Sequence, residues 1–407
     1  LGAGGSFDLR QATGTAVPGS LEGKYGIQVQ LGTDGRYEGT RFDAGKGDLK
    51  IRTPGSLSFT EARDWQTSNE TTLGGFGWVE AGTSPDTLKK ANAGGQLDKA
   101  WLEVEDTQGR SASLFAEGVT EIVAGQDLTL QGTQIDSNGD VRLKAGGDVE
   151  FLAGVDTYSA RGGNLGGGGR VSVKATQSDT ASGGNGAFGL QGSVGSIEER
   201  STLQRGGSVD SRGTVQIEGR NVQLQGVQGN AQAFELAATD GNLILESAVS
   251  DEQRNNKALT AGLGASLARS SDSSNNGSGL FARVKGGIDQ LDSQTHDNTR
   301  LRADRVQLDS RGDTRLLGAT VTAGEVRGRI GGDLRVESRQ DQVRGLTLNV
   351  DAQLTTEKNP SGGIDKASVA AGPFGGTVKD KSKKLYEKAG DKTQALKDKL
   401  LARSTAS

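Results

Sequence analysis

Apolar residues in this chain fall into short apolar-x-apolar triplets, each preceded by glycine and one or two polar residues. The phrase runs from Gly47-Asp48-Leu49-Lys50-Ile51 to Gly332-Asp333-Leu334-Arg335-Val336, and recurs at Gly139-Asp140-Val141, Gly147-Asp148-Val149, Gly213-Thr214-Val215 and Asn221-Val222. Each reads as a turn followed by a half-buried strand. Leu128 and Val149 lie 21 residues apart, as do Val222 and Leu243, and Val306 and Val326 lie 20 apart. Strands at so short a period cannot bury an apolar face alone and must stack on their neighbours. The pattern predicts an all-β chain whose stem is a right-handed parallel β-helix, each strand finding its hydrogen-bond partners in the rungs before and after it. Leu49, Leu57, Leu128, Val141, Val149, Val215, Val222, Leu243, Val306 and Leu334 are the expected rung positions.

A longer period sits on the first. The phrases around Leu57, Val149, Leu243 and Leu334 recur every 91 to 94 residues, giving about four modules over residues 47–350. Three of them end alike, with Asp64, Asp156 and Asp341 five residues after the last apolar strand residue; the remaining one has Ser250 there, followed by Asp251. After each ending the rung spacing is lost, with inserts near 65–118, 156–206 and 250–300 that are longer than ordinary loops. In the second insert Val171 and Val173 alternate with polar residues, a tip follows at Ser182–Gly186, and Phe188, Leu190 and Val194 alternate again. In the third, Leu259, Leu263 and Leu267 precede a tip at Ser271–Ser278, and Leu280, Val284 and Ile288 follow it. Period-two alternation on both sides of a Gly/Asn/Ser turn predicts long β-hairpins. Their arms have three ways to cover an apolar face: packing on the stem, pairing with each other, or entering an outer membrane as barrel strands. The third hairpin is the candidate for contact with a target envelope. Residues 1–46 read as a β-rich lead-in and 351–376 as a Gly-rich linker; 377–407 read as a basic amphipathic helical tail interrupted at Gly390-Asp391.

Composition agrees with a thin core: of 407 residues 32% are hydrophobic and 4% aromatic, with 65 Gly and 5 Pro. The chain has no Cys, so disulfides and thiolate metal sites are excluded. It has no Met, even at position 1, which suggests an internal piece of a longer polypeptide. No apolar stretch is long enough to span a bilayer as a helix, and no signal peptide is visible. A net charge of −4 argues against general nucleic-acid binding.

The run Leu317-Gly318-Ala319-Thr320-Val321-Thr322-Ala323-Gly324, followed by Gly331-Gly332-Asp333-Leu334-Arg335-Val336-Glu337-Ser338-Arg339-Gln340-Asp341, closely resembles the haemagglutinin repeats of filamentous-haemagglutinin-like exoproteins. It is closest to the distal repeats of contact-dependent growth inhibition effectors, and the resemblance covers roughly residues 40 to 350. It implies a very large Gram-negative exoprotein, exported by an outer-membrane partner transporter and displayed as a filament at the cell surface. Its distal repeats would engage a target cell's outer membrane or a surface receptor and help pass a toxin. This chain would be a non-catalytic stalk or delivery segment, with neither a cofactor nor nucleic acid implied. A host- or cell-adhesive haemagglutinin and a polysaccharide-active β-helix enzyme are the alternatives. A complete gene ending in a small toxin domain would favour delivery over adhesion.

Shorter motifs have plainer readings. Arg311-Gly312-Asp313 is the tripeptide integrins read, but Gly312-Asp313 aligns with the rung turns. Gly146–Asp148 and Gly331–Asp333 lack the tandem pattern of a calcium β-roll. Gly166–Gly169 lacks the Lys-Ser/Thr of a phosphate loop and reads as a flexible hairpin base. His296, the single histidine, reads as an exposed loop residue and leaves little for triad or His-rich metal chemistry.

Overall fold

The computed structural model describes residues 2–84, 87–177, 182–271, 276–358 and 364–371, and their regular structure is β-strand throughout. The tail at 377–407 lies outside the described residues. Eight rungs of parallel strands stack into a three-sided stem. The first two rungs are Ser20–Glu22, Ile27–Gln30 and Gly35–Glu38, then Arg41–Asp43, Leu49–Thr53 and Leu57–Thr60. In the last two rungs the first two sides merge into the long strands Thr299–Ser310 and Ala319–Ile330. Residues 20–43 of the lead-in are therefore already stem. Two strands, Gln342–Lys358 and Ile364–Ala371, pair antiparallel across much of the stretch read as a linker.

Alternation explains the stem's interior. Inward residues line up across rungs: Leu57, Leu128, Val149, Val222 and Leu243 stand opposite one another in turn. Leu49, Thr120, Val141, Val215, Phe234 and Val306 form a second column. All these side chains are buried. Leu334, also expected inside, is 57% exposed. It pairs with Thr314 on the last described rung, and no described rung covers its other side.

The Gly-Asp turns have a second role. Asp127 Oδ1 accepts the Asp148 backbone N–H at 2.9 Å, and Asp148 Oδ1 accepts that of Asn221 at 3.3 Å. Asn221 Oδ1 accepts from Asn242 at 2.8 Å, Asn242 Oδ1 from Asp313 at 2.8 Å, and Asp313 Oδ1 from Asp333 at 3.0 Å. One corner of the stem thus carries an Asx ladder, in which each side chain satisfies the turn above it. Asp48 and Asp140 do the same for Val119 and Thr214 at another corner.

These bonds set an acid limit. The Arg220 hydrogen bond holds Asp148 below its ordinary value of 3.8, the Lys50 hydrogen bond does so for Asp48, and the Asp333 backbone N–H does so for Asp313. A carboxyl whose folded pKa is depressed contributes stability that is present above its unfolded value and lost as pH falls through the folded one. The stem's melting temperature should therefore hold above pH 3.8 and fall below it. A melting temperature unchanged down to about pH 2 would count against the ladder as a source of stability.

The remaining corner decides where the hairpins leave. Between rungs one and two, three and four, five and six, and seven and eight, the chain turns at Gly39, Gly132, Gly226 and Gly318, with φ of 55°, 60°, 67° and 68°. L-residues with a side chain avoid this left-handed region, whereas glycine enters it freely. At the same corner of rungs two, four, six and eight the chain departs into an arm instead. Each corner glycine abuts the segment that departs one rung later: a methyl on Gly226 would stand 2.7 Å from Ala248 Cβ.

Candidate functional site

Three full hairpins leave the stem: Ala62–Ser84 with Thr87–Arg110, Gly154–Gln177 with Ser182–Arg205, and Ala248–Ser270 with Gly277–Asp297. Gln342–Lys358 with Ile364–Ala371 makes a shorter fourth, and Gly2–Gly14 pairs along the first. The arms pair with each other, which joins their edges and leaves their apolar face open. Neighbouring hairpins join edge to edge into one nine-stranded antiparallel sheet, and the arms touch one another rather than pack along the stem. Strands of 24 residues make arms about 80 Å long. Among the described arms, the Gly2–Gly14 and Ile364–Ala371 strands are the sheet's two edges. Ser182–Gly186 and Gly277-Ser278, read as tip residues, belong to strands.

The recurring Asp explains how the hairpins are held at their roots. Asp64 Oδ1 accepts the Ala16 backbone N–H at 2.7 Å, and Asp156 Oδ1 accepts that of Gly109 at 2.7 Å. Ser250 Oγ takes the same place for Gln204 at 2.9 Å, and Asp341 Oδ1 for His296 at 2.8 Å. In the second, third and fourth modules the residue at this position therefore clasps the strand returning from the preceding hairpin, and in the first it holds Ala16, just past the strand Gly2–Gly14. Ser250 can substitute because a hydroxyl oxygen also accepts a main-chain N–H. An arginine at the hairpin's end closes two of these roots: Arg110 meets Asp64 at 2.7 Å and Arg205 meets Asp156 at 2.9 Å. Arg205 also bonds Glu61 at 2.9 Å, whose carboxylate is 3% exposed and accepts the Val155 backbone N–H at 2.9 Å. Sequence reasoning found the Asp but not Glu61 or Arg205, which have no periodic signal. His296 proves not to be an exposed loop residue: it lies on a strand, its side chain is 12% exposed, and its Nδ1 is 3.3 Å from Asp341 Oδ1.

Directly opposed residues of an antiparallel sheet point to one face. Leu190 stands opposite Leu263, which stands opposite Ala282 and then Leu354; Val194, Leu259, Gly286 and Val350 form another such row. The candidate positions Leu259, Leu263, Leu267, Leu280, Val284 and Ile288 thus share one face with Val171, Val173 and Phe188. That face is apolar and open; Leu263 is 53% exposed. From Leu259 to Leu267 the band is about 30 Å tall. Charge bounds it, with Arg161 and Glu198 on the stem side and Lys89 and Arg269 toward the tips. The opposite face carries Lys174, Arg170, Lys285 and Asp98 among glycines and serines. Gly166–Gly169 is not a hairpin base but lies midway along an arm, within Gly154–Gln177.

Among the described residues no group of three or more His, Asp or Glu is placed to hold a metal, and no helix is long and apolar enough to cross a membrane. Arg311 is exposed at the turn, 3.8 Å from Asp240, while Asp313 is engaged by the ladder and by Arg315 at 3.0 Å. Arg311→Ala should therefore leave both the melting temperature and cell attachment unchanged. A large loss of binding to integrin-bearing cells, with melting unaltered, would give the tripeptide a recognition role.

A stem of repeated two-rung modules, each sending out a hairpin that joins a common sheet, defines a repeat architecture. The hemagglutinin repeat model matches residues 91–232 and 188–349, and the chain belongs to that family. It is 31% identical to a hemolysin of Serratia marcescens over 96% of this chain and 25% of that protein, and 28% identical to a hemolysin of Proteus mirabilis over 92% and 24%. It is also 25% identical to the tRNA nuclease CdiA-2 of Burkholderia pseudomallei strain 1026b, over 63% of this chain and 8% of that protein. The chain spans about a quarter of the length of the two hemolysins. No solved structure matches.

Proposed function

We propose that this chain is a non-catalytic stalk and delivery segment of a large exoprotein, secreted through an outer-membrane partner transporter and displayed at the surface of a Gram-negative bacterium. Its stem is a right-handed β-helix, the hand that parallel crossovers adopt. The modules of residues 47–350 hold the hairpin sheet away from the stem, and the sheet engages the outer membrane of a target cell during contact-dependent growth inhibition. One observation carries the reading: an open apolar band, about as tall as the hydrocarbon core of a bilayer and bounded by charge on both sides, backed by a polar face. Exposed apolar faces this extended mark partner or membrane contacts. The similar proteins named hemolysins agree with a membrane target, and the one named a tRNA nuclease agrees with toxin delivery.

Face-specific substitution tests the proposal. Leu259→Gln, Leu263→Gln and Leu267→Gln together should lower association with target outer-membrane vesicles by roughly a hundredfold while leaving the stem's melting temperature in place. Ser172→Gln with Ser266→Gln, on the polar face, should have no such effect. Equal loss from both sets, or from neither, would remove the apolar band from the mechanism.

A further inference from the structure

The polar face of the sheet holds a trough of about 580 Å³ that the proposed envelope contact does not use. Two cross-strand rows build it. The first runs Trp78, Gly94, Arg170, Gly189, Gly264, Phe281, and the second runs Phe76, Gln96, Gly168, Gln191, Gly262, Arg283. Aromatic side chains rise at both ends of the first row, and the glycines between, Gly94, Gly189 and Gly264 with Gly168 and Gly262 alongside, leave stretches of the sheet's own backbone as floor. The walls are fixed by the same glycines. The Trp78 indole lies over Gly94, where an added methyl would stand 2.9 Å from Nε1, and the Phe281 ring lies over Gly264. Trp78 and Phe281 keep 37% and 38% exposure, so each offers ring surface to the trough. From Gly94 to Gly264 is three strand spacings, about 14 Å.

Arg170 rises from the floor between the walls and has no ion pair among the described residues. Arg283, by contrast, is held by Asp351 at 2.6 Å through Nη2 and 3.0 Å through Nε. Gln191 and Thr260 add uncharged donors and acceptors along the lining. Aromatic rings, amide and hydroxyl groups and one unpaired guanidinium, spread over an open trough, match a particular chemistry. A pyranose ring presents a face of C–H groups, weakly positive, to the negative face of an aromatic ring, and its hydroxyls bond to amides. The free guanidinium adds a site for a carboxylate.

The geometry points to this trough as a binding site for an anionic saccharide chain, with Trp78 and Phe281 stacking on sugar rings and Arg170 taking a carboxylate. Single-stranded nucleic acid, which also stacks on aromatic groups, is disfavoured. It needs a basic groove along the backbone, whereas this chain has a net charge of −4, and of the trough's three cations, Arg170, Lys285 and Arg283, the last is already held by Asp351. The site lies on the face opposite the apolar band, so it stands or falls independently of the envelope-contact proposal.

The test is calorimetric titration of the whole chain with tetragalacturonate, with its methyl-esterified form as the uncharged control. Saturable binding of the acid form, weaker for the ester, is expected. Arg170→Gln should weaken binding of the acid form by roughly tenfold or more. Gly189→Leu should abolish it by filling the floor. Gly189→Ala, whose methyl meets nothing closer than Phe281 Cζ at 3.5 Å, should keep the wild-type melting temperature and still weaken binding, which separates loss of the floor from loss of the fold. The proposal is overturned if tetragalacturonate does not bind, or if its binding survives both Arg170→Gln and Gly189→Leu. Equal affinity for the ester would remove Arg170's role, and equal affinity for a DNA tetranucleotide would replace saccharide recognition with generic anion binding.

Discussion

Val149→Asp should unfold the middle of the stem. Val149 is completely buried between Leu128 and Val222 on adjacent rungs, and its Cγ2 packs against Gly219. The inward neighbours of its column are aliphatic, so a carboxylate there finds no donor and must either stay charged without a partner or take up a proton. Loss of the valine's burial costs about 1.5 to 3 kcal/mol and the unpaired polar group adds several more, roughly 5 kcal/mol in all. In a stack where each rung leans on its neighbours, such damage spreads to the adjacent rungs. Thermal melting followed by circular dichroism should show a drop of many degrees, and hydrogen exchange should accelerate first around Leu128–Gln131 and Val222–Gln225. Leu259→Asp, on the open face of an arm, should leave the stem transition where it is. A Val149→Asp protein that melts like the wild type would mean that the column is not the stem's core.

Deleting Leu259–Ile288 and joining the ends with a short Gly-Ser linker should separate the stem from its sheet functionally. The cut removes the outer parts of both arms of the third hairpin but spares Ala248, the Gly226 corner and the root bond from Gln204 to Ser250. None of the buried stem columns passes through the deleted segment, so stem melting should be preserved. The outer part of the sheet, however, is interrupted, while the strands stay paired near the stem. Val194 loses Leu259 and Val350 loses Gly286 as opposed partners, and the apolar band is interrupted at its centre. Association with target outer-membrane vesicles, or passage of a linked toxin, should be abolished. Normal association by the shortened protein would make the hairpins cladding and end the envelope-contact proposal.

Particular residues show how far the sequence could be read. The 20- and 21-residue spacings of Leu128 and Val149, Val222 and Leu243, and Thr314 and Leu334 are the registers of the folded stem, because a parallel stack repeats its sequence period in space. The fifth-residue Asp was visible as a pattern, but its purpose was not. Ala16, Gly109, Gln204 and His296 donate main-chain N–H groups, which no side-chain identity reveals. Leu334 stands on its rung opposite Thr314 yet is exposed, because an apolar triplet records which way a side chain points, while its burial depends on a rung above.

The sequence by itself determined the strands, their period, the glycine and Asp-bearing corners and the hairpins, since each follows from alternation and turn chemistry within a few residues. Tertiary structure alone decided what the arms do with their edges and faces. Alternation gives an arm one apolar face but is silent about its neighbours, because main-chain ladders form with any strand of compatible length held at the right distance. The stem supplies that distance by placing each hairpin at the same corner, two rungs above the last. The open apolar band, and the trough between Trp78 and Phe281 on its reverse, exist only because residues from neighbouring hairpins are brought side by side, the trough alone drawing on six strands.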